Sequence, residues 1–288
     1  MGCCFNNQDF EVWGYVASYF SYANAGLVFH SPDRLSDRTG SVVKRAIRRE
    51  PRMGASLLRL HFHDCFVNGC DGSVLLDDTA NFTDEIKAAV NKHCHANVVS
   101  CADILAVAAR DSVQIAEEMQ EMQPRNDANF NLPAPFSSFS QLLSNFQSHG
   151  LDLKDLVVLS GGHSIGLARC TTFSARIYDD TNIDKSFAAS LQRVCPASGG
   201  NNTEPFDETP MKFDTVYYKA LLKSKGLLHS DQELFKGNGS KSDKLVRHYS
   251  HSPGHFAKDF GASMIKMGNI KPLIGNKGEI RLNCRKIN

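Results

Sequence analysis

The sequence predicts one mostly helical domain, because its apolar residues recur at helical spacing and strand-like alternation is scarce. The helical period is clearest at residues 42–47, 57–60 and 104–108. Glycine and proline clusters separate the helical stretches without forming a long linker, and the sequence has no internal repeat. Further helices are predicted at approximately 84–93, 138–149, 152–160, 213–224, 243–250 and 254–267.

The composition is that of a globular protein, and it excludes two classes of partner. At 288 residues the chain can bury a sizeable core. Its 32 basic and 31 acidic residues are interspersed, which leaves no basic stripe for a nucleic acid and no polybasic patch for a membrane surface. No run approaches the roughly 18 consecutive apolar residues of a transmembrane helix. We therefore expect no nucleic-acid partner and no membrane partner.

The N-terminal stretch differs from the rest of the chain. Residues 1–28 contain no Lys or Arg, so they lack the basic start and the clean apolar run of a secretory signal peptide. The opening letters MGCC hint at acylation, but the myristoylation pattern requires Ser or Thr at position 6, where Asn6 stands. We predict an atypical N-terminal extension over 1–28 and the main domain over 29–288.

The nine cysteines point to disulfides rather than to a zinc ribbon. They contain no pair with CxxC spacing, which a zinc ribbon would require. In a cytosolic protein such cysteines would be small buried apolar residues or metal ligands. Three glycosylation sequons, which begin at Asn81, Asn201 and Asn238, favour instead a secreted protein in which disulfides form.

The stretch RLHFHDCFVNGCDGSVLL, at 59–76, concentrates reactive side chains. If it begins on a helix, Arg59 and His63 share a face and His61 points elsewhere. A guanidinium beside an imidazole suits a reaction in which a proton is taken up and negative charge develops nearby. A surface arginine beside a structural histidine is the alternative. A zinc site from His61, His63 and Cys65 is disfavoured, because side chains two positions apart on a helix diverge.

Oxygen-bearing side chains follow in the same stretch. Asp64, Asp71 and Ser73 lie on a tight loop whose glycines let main-chain carbonyls turn inward, and hard oxygen donors of this kind suit calcium. The spacing is not that of an EF-hand. Cys65 and Cys70 could close the loop covalently and hold its ligands together.

A second histidine follows a glycine pair in DLVVLSGGHSIG, at 155–166. A helix that ends at two glycines leaves room for a large flat group, and His163 comes directly after them. One histidine in this position is more often structural than a ligand. Two histidine sites on separate helices, one of them beside an arginine, are what a haem requires on its two faces.

Six stretches of the chain closely resemble the secretory haem peroxidases of plants (class III): RLHFHDCFVNGCDGSVLL, VSCADILAVAARDSV, NLPAPF, VVLSGGHSIG, SDQELF and MGNIKPLIGNKGEIRLNC. The resemblance runs from about residue 29 to the end. It implies an all-α haem peroxidase fold, with helices above and below a buried haem b. It also implies a secreted monomer, in the cell wall or vacuole, that reduces hydrogen peroxide and oxidises small phenolic donors by one-electron steps.

The same resemblance implies roles for individual residues. His163 would be the axial ligand of the haem iron, and Asp243 would accept its ring proton. His63 would take a proton from peroxide and return it to the leaving oxygen, while Arg59 would stabilise charge on the breaking O–O bond. Three contact residues would be Phe62 at the haem edge, Pro133 at the donor and Phe206 against the axial histidine.

The resemblance further implies two calcium sites and three disulfides. The distal calcium ion would bind Asp64, Val67, Gly69, Asp71 and Ser73. The proximal calcium ion would bind Ser164, Asp207, Thr209, Lys212 and Asp214, although FDETPMKFD is one residue shorter than the family spacing. The disulfides would join Cys65 with Cys70, Cys101 with Cys284, and Cys170 with Cys195.

Three departures from the family pattern bear on activity. Only residues 83–85 stand where the family has a longer connector, with a Glu tied to the distal calcium and an Asn bonded to the distal histidine. A Gly-Gly-Pro-x-Trp stretch is missing between 112 and 131. Ser31 precedes Pro32 directly, where the family has Ser-Cys-Pro, so Cys94 loses its partner unless Cys3 or Cys4 replaces it. The alternatives to an active peroxidase are therefore an impaired relic that binds haem and calcium, or the product of an incorrectly assembled gene.

Overall fold

The computed structural model describes residues 33–76, 82–94, 97, 99–118, 132–273 and 277–288. These residues form twelve α-helices, two short 3₁₀ turns and one small antiparallel sheet, which confirms the all-α fold class. The helices are α1 (Asp33–Arg49), α2 (Met53–Val67), α3 (Phe82–Cys94), α4 (Cys101–Glu118), α5 (Phe139–Ser148), α6 (Leu153–Ser160), α7 (Cys170–Asp179), α8 (Lys185–Gln192), α9 (Val216–Leu222), α10 (His229–Gln232), α11 (Lys241–His251) and α12 (Pro253–Gly268). The sheet pairs β1 (Leu167–Arg169) with β2 (Thr203–Pro205), and the 3₁₀ turns are Ser73–Leu76 and Gly161–Ser164.

The chain divides into two compact units. The first combines the residues up to Ile115 with Met264–Asn288, and the second is Ala116–Ser263. The predicted domain boundary after residue 28 lies outside the described residues and stays a prediction. No helix in the described part of the chain is long and apolar enough to cross a membrane.

In the first unit, α2 and α4 bury the apolar residues that their periodicity predicts. Leu57 and Phe66 of α2 are buried, and Ile104 and Leu105 of α4 are completely so. Burial of each such side chain stabilises the fold by about 1.5–3 kcal/mol. These residues anchor α2 in the core, and α2 is the helix that carries Arg59 and His63.

The C-terminal segment of the first unit holds the loop that follows α2. The Cys70 main-chain N–H donates to the carbonyl of Ile270 at 2.9 Å, and buried Arg281 donates to the carbonyl of Gly72. Gly69 has φ +112°, and an added Cβ there would lie 2.7 Å from the carbonyl oxygen of Lys271. Only glycine therefore allows this close approach.

The three predicted disulfides are confirmed. Cys65–Cys70 closes the loop after α2, and Cys101–Cys284 joins the start of α4 to the C-terminal segment. In the second unit, Cys170–Cys195 joins the first residue of α7 to the segment after α8.

In the second unit, α6 has a well-defined beginning and end. The side chain of Asp152 accepts hydrogen bonds from the N–H groups of Lys154 and Asp155, and the Asp155 side chain accepts one from the Asp152 N–H. This reciprocal capping box satisfies N–H groups that the first turn leaves unpaired. The helix ends at Ser160, and its C-cap is Gly161, where an added Cβ would lie 2.6 Å from the ring of Phe256. The turn that carries His163 follows directly.

Candidate active site

Helix α2 brings Arg59 and His63 together, one turn apart. Arg59 Nε donates a hydrogen bond to His63 Nε2 at 3.1 Å, so the predicted pairing on one helical face is present. Because Nε2 accepts this bond, a neutral His63 carries its ring proton on Nδ1.

His63 is neutral at ordinary pH. Its side chain is buried, and burial together with the neighbouring Arg59 charge lowers the pKa of His63 from 6.5 to about 4. A neutral imidazole with a lone pair at Nε2 can accept a proton, and the adjacent guanidinium can stabilise an anion. This half of the site therefore has the chemistry of a general base beside a fixed positive charge.

His61 points away from the Arg59–His63 pair, as the helical spacing predicts. It is buried, and its ring lies 3.8 Å from the sulfur of Cys65. Burial lowers the pKa of His61 to about 4. Since Cys65 is bonded to Cys70, it offers no thiolate to a zinc ion.

The loop after α2 gathers oxygen atoms around Asp64. Asp64 Oδ2 accepts from Gly72 N at 2.9 Å, and Asp71 Oδ1 accepts from Ser73 N at 2.8 Å. Burial, with a contribution from the Asp71 charge, raises the pKa of Asp64 to about 6 and outweighs the lowering by the Gly72 N–H and by Arg281. Val67 and Gly69, the other predicted ligands, lie on the same loop. The donor set suits a hard cation such as calcium, and that assignment stays a prediction.

The second unit presents His163 on the 3₁₀ turn that follows α6. Its Nδ1 lies 2.8 Å from Asp231 Oδ1, and its side chain is 38% exposed. With the Nδ1 proton donated to Asp231, the lone pair is on Nε2, and Nε2 has no hydrogen-bond partner among the described residues. A histidine held in this way fits the axial ligand of a haem iron.

The partner of His163 is Asp231 and not Asp243, so the sequence-based assignment of Asp243 is wrong. Asp243 lies in the first turn of α11, where its carboxylate accepts from the N–H groups of Lys236 at 2.9 Å and Gly239 at 2.7 Å. Its oxygens are therefore engaged in holding the loop before α11. The signal for Asp231 was present in the sequence, within the stretch SDQELF.

Asp231 is buried and accepts hydrogen bonds from three donors. Besides His163, the Tyr217 hydroxyl donates to Oδ1 at 2.9 Å and the Leu228 N–H donates to Oδ2 at 3.1 Å. Burial, followed by the Asp231 charge, raises the pKa of Tyr217 well above 10, so Tyr217 remains a donor. Tyr217 was not predicted from the sequence. These donors hold Asp231 in place, which in turn orients the His163 ring.

Phe206 packs on His163, in agreement with the predicted contact. The two ring centroids are 4.1 Å apart and the planes differ by 3°. Phe206 also packs against a buried apolar cluster of the second unit. The cluster comprises Ala168, Cys170, Phe173, Ile177, Leu191, Cys195, Leu227 and Leu228.

The predicted proximal calcium residues converge in the second unit. Thr209 Oγ1 lies 3.2 Å from Asp207 Oδ1 and 3.1 Å from Asp214 Oδ2, and Asp214 N donates to Ser164 Oγ at 3.3 Å. Burial raises the pKa of Asp207 to about 7, and its Oδ2 is buried without a hydrogen-bond partner among the described residues. An orphaned buried carboxylate oxygen fits a bound cation. Lys212 N donates to Thr209 O, which keeps the turn compact.

Of the remaining predicted site residues, the structure describes the positions of Phe62 and Pro133 but not their contacts with a ligand. The Phe62 ring packs on Phe66 at 4.3 Å and lies 6.0 Å from the His63 ring. Pro133 is half-buried in the segment before α5, where Pro135 O accepts from Ser230 N at 3.0 Å. Their predicted contacts with haem and donor stay predictions. Asn81, the side chain of Cys94 and residues 119–131 lie outside what the structure describes.

Comparisons with known proteins agree with this site. The sequence model described as peroxidase matches residues 39–252. Peroxidase RIP1 of Medicago truncatula is 60% identical over 86% of each chain, and Peroxidase 4 of Vitis vinifera is 50% identical over 88% of each. Peroxidase P7 of Brassica rapa subsp. rapa is 49% identical over 86% of this chain and 94% of its own. This chain therefore belongs to the class III peroxidases of plants.

Proposed function

We propose that this peroxidase binds haem b through His163, reduces hydrogen peroxide, and oxidises phenolic donors by one-electron steps. The observation that carries the proposal is the 2.8 Å contact between His163 Nδ1 and the buried Asp231 carboxylate. Besides His163, two further donors, Tyr217 and Leu228, hold this buried carboxylate in position, which suits the orientation of a ligand histidine. Family membership adds the peroxidase chemistry.

In the second unit, His163 would hold the haem, which when bound would supply the iron that binds peroxide and exchanges electrons. Asp231 holds the Nδ1 proton, which gives the ring partial imidazolate character and makes Nε2 a stronger electron donor. Phe206, stacked on the ring at 4.1 Å, restricts its rotation. His163 is thus positioned to act as a rigid and strongly donating ligand.

In the first unit, His63 and Arg59 would together promote cleavage of the peroxide O–O bond. Neutral His63 accepts a peroxide proton at Nε2 and returns it to the leaving oxygen. The Arg59 guanidinium, 3.1 Å from that nitrogen, stabilises negative charge on the breaking O–O bond. Phe62 would border the haem edge, and Pro133 would contact the phenolic donor.

Two calcium ions would stiffen these elements. The distal ion would bind the loop that begins at Asp64, directly after His63, and the proximal ion would bind Asp207 together with Ser164, directly after His163. The orphaned Asp207 oxygen supports the second site. We also propose that the protein is a secreted monomer.

The reaction with peroxide should be slower than in a relative with an intact connector. His63 Nδ1 has no hydrogen-bond partner among the described residues, and the sequence has no match for the family's orienting Asn. The nearest candidate, Asn81, lies outside those residues. Loss of a general base costs about 10²–10⁴ in rate, and loss of its orienting partner should cost part of that factor. Stopped-flow rates for this chain and for a version with the connector restored should differ, and equal rates would contradict the idea.

Haem binding is tested by the visible spectrum of the haem-reconstituted protein, with and without peroxide. The His163→Ala variant should lose the Soret band and the bound iron, whereas the control His149→Ala should keep both. Unchanged iron content in His163→Ala would refute the axial assignment. Haem that binds normally but whose spectrum does not respond to peroxide would favour the impaired relic. Metal analysis after exhaustive dialysis should find two equivalents of calcium and no zinc.

A further inference from the structure

A pair of histidines lies on the surface of the second unit, apart from the residues discussed above. His248 is near the end of α11, His255 is in the first turn of α12, and only Ser252 separates the two helices. Both histidine side chains are exposed. His255 Nδ1 lies 3.1 Å from His248 Nε2, and the ring planes differ by 22°. The two nitrogens thus face one another across a hydrogen bond at the surface.

The separation of these nitrogens matches that of two ligands on one metal ion. An imidazole nitrogen binds Zn²⁺ at about 2.0–2.1 Å. Two such bonds at an angle between a square-planar and a tetrahedral value place the nitrogens roughly 2.9–3.3 Å apart. The observed 3.1 Å lies within this interval. Because both side chains are exposed, each ring can turn about its Cβ–Cγ bond until both lone pairs point at a shared ion.

The surroundings of the pair also suit a cation. The guanidinium of Arg247, the residue before His248, stacks 4.9 Å from the Phe235 ring centroid instead of lying against the imidazoles. Asp259, four residues after His255, interacts electrostatically with it, and its Oδ1 also pairs with Lys154 Nζ at 2.8 Å. The neighbouring positive charges are thus engaged by other groups, Arg247 by the Phe235 ring and Lys154 by Asp259.

We propose that His248 and His255 form a surface site for one late first-row divalent transition-metal ion, with Cu²⁺ as the preferred ion. Imidazole ligands suit copper, zinc and nickel, and affinity for such ligands peaks at Cu²⁺. Water would complete the coordination. In the metal-free pair one ring donates its proton to the other, so binding moves that proton to the outer nitrogen of its own ring. The proposal does not depend on the peroxidase chemistry.

A bound ion would join α11 to α12 across Ser252. The ion binds the folded arrangement and not the separated helices, so it should stabilise the protein by mass action. Protons compete with the metal for imidazole nitrogens, so affinity should fall on acidification.

The test uses the untagged, haem-loaded protein with calcium present, titrated with CuCl₂ by calorimetry and by electron paramagnetic resonance. The wild type should bind one more equivalent of Cu²⁺ than the double variant His248→Asn/His255→Asn. Each single variant should lose at least about tenfold in affinity for that equivalent, since even the loss of an outer-shell partner costs 10–100-fold. The control His149→Asn should bind as the wild type does.

Equal numbers of copper equivalents in the wild type and the double variant would refute the proposal, as would an equal loss in His149→Asn. A second measurement is the thermal midpoint with and without ZnCl₂. Addition of ZnCl₂ should raise the thermal midpoint of the wild type and leave that of the double variant unchanged. Because the substituted side chains are exposed, the wild type and the variants should have the same thermal midpoint without metal. Equal midpoints would show that the variants fold.

Discussion

Replacement of Asp231 by Asn tests the contact on which the assignment of His163 depends. Asp231 Oδ1 accepts from His163 Nδ1 at 2.8 Å and from the Tyr217 hydroxyl at 2.9 Å, and Oδ2 accepts from Leu228 N at 3.1 Å. An asparagine can keep its oxygen towards His163 and Tyr217. Its NH₂ group then faces the Leu228 N–H, donor against donor.

The expected cost follows from this geometry. One hydrogen bond to a charged group is lost, at about 1.5–3 kcal/mol, and a buried N–H is left unpaired, at about 1–3 kcal/mol. These two contributions overlap, so we expect Asp231→Asn to lower the free energy of unfolding by about 2–4 kcal/mol. In Asp231→Asn the negative charge beside His163 Nδ1 is also lost. Loss of such a partner typically costs 10–100-fold in metal affinity or activity.

Asp243→Asn is the matched control, because Asp243 is likewise a buried carboxylate that accepts main-chain hydrogen bonds, but it lies in the first turn of α11. Both variants should lose stability in urea denaturation. Only Asp231→Asn should lower the iron–histidine stretching frequency in resonance Raman spectra of the haem-loaded protein. A wild-type frequency in Asp231→Asn, or an equal shift in Asp243→Asn, would refute the reasoning.

Three further predictions concern pH, crosslinking and calcium. Burial, with a contribution from Arg59, lowers the pKa of His63 to about 4. In stopped-flow experiments the rate constant for reaction with peroxide should therefore be constant from about pH 8 to 5 and fall by half near pH 4. A midpoint of this pH profile near 6.5 would contradict the prediction. Replacing both Cys101 and Cys284 by Ser opens a loop of 183 residues, and should cost about 2–5 kcal/mol in urea denaturation, more than loss of the shorter disulfide in the second unit. Chelation of calcium should lower the thermal midpoint reversibly, and Asp207→Asn should bind one equivalent of calcium fewer in metal analysis. An unchanged calcium content in Asp207→Asn would contradict the proximal site.

Apolar periodicity predicted nine of the twelve helices in the described residues, wholly or in part, and missed three. Six ranges predicted from periodicity correspond to α3, α5, α6, α9, α11 and α12, with ends that differ by a few residues. It did not predict α7, α8 or the four-residue α10. Helix α7 buries the charged Arg176 on its core face, and α8 buries only Ala188 and Leu191, so neither has a clear apolar period. Helix α10 has only four residues, and packing into the core stabilises it instead.

The sequence by itself determined the parts of the site that depend on local spacing. Arg59 and His63 share a face because they are four residues apart on one helix, and His163 is presented because α6 ends at a glycine. The tertiary structure decided the partner of His163, since Asp231 is 68 residues away along the chain. Which of two carboxylates reaches a ring over such a distance depends on how the intervening helices pack, because side-chain hydrogen bonds form only within about 3 Å. Local periodicity carries no information about that contact, and the fold alone brings Asp231 to His163 and leaves Asp243 at the start of α11.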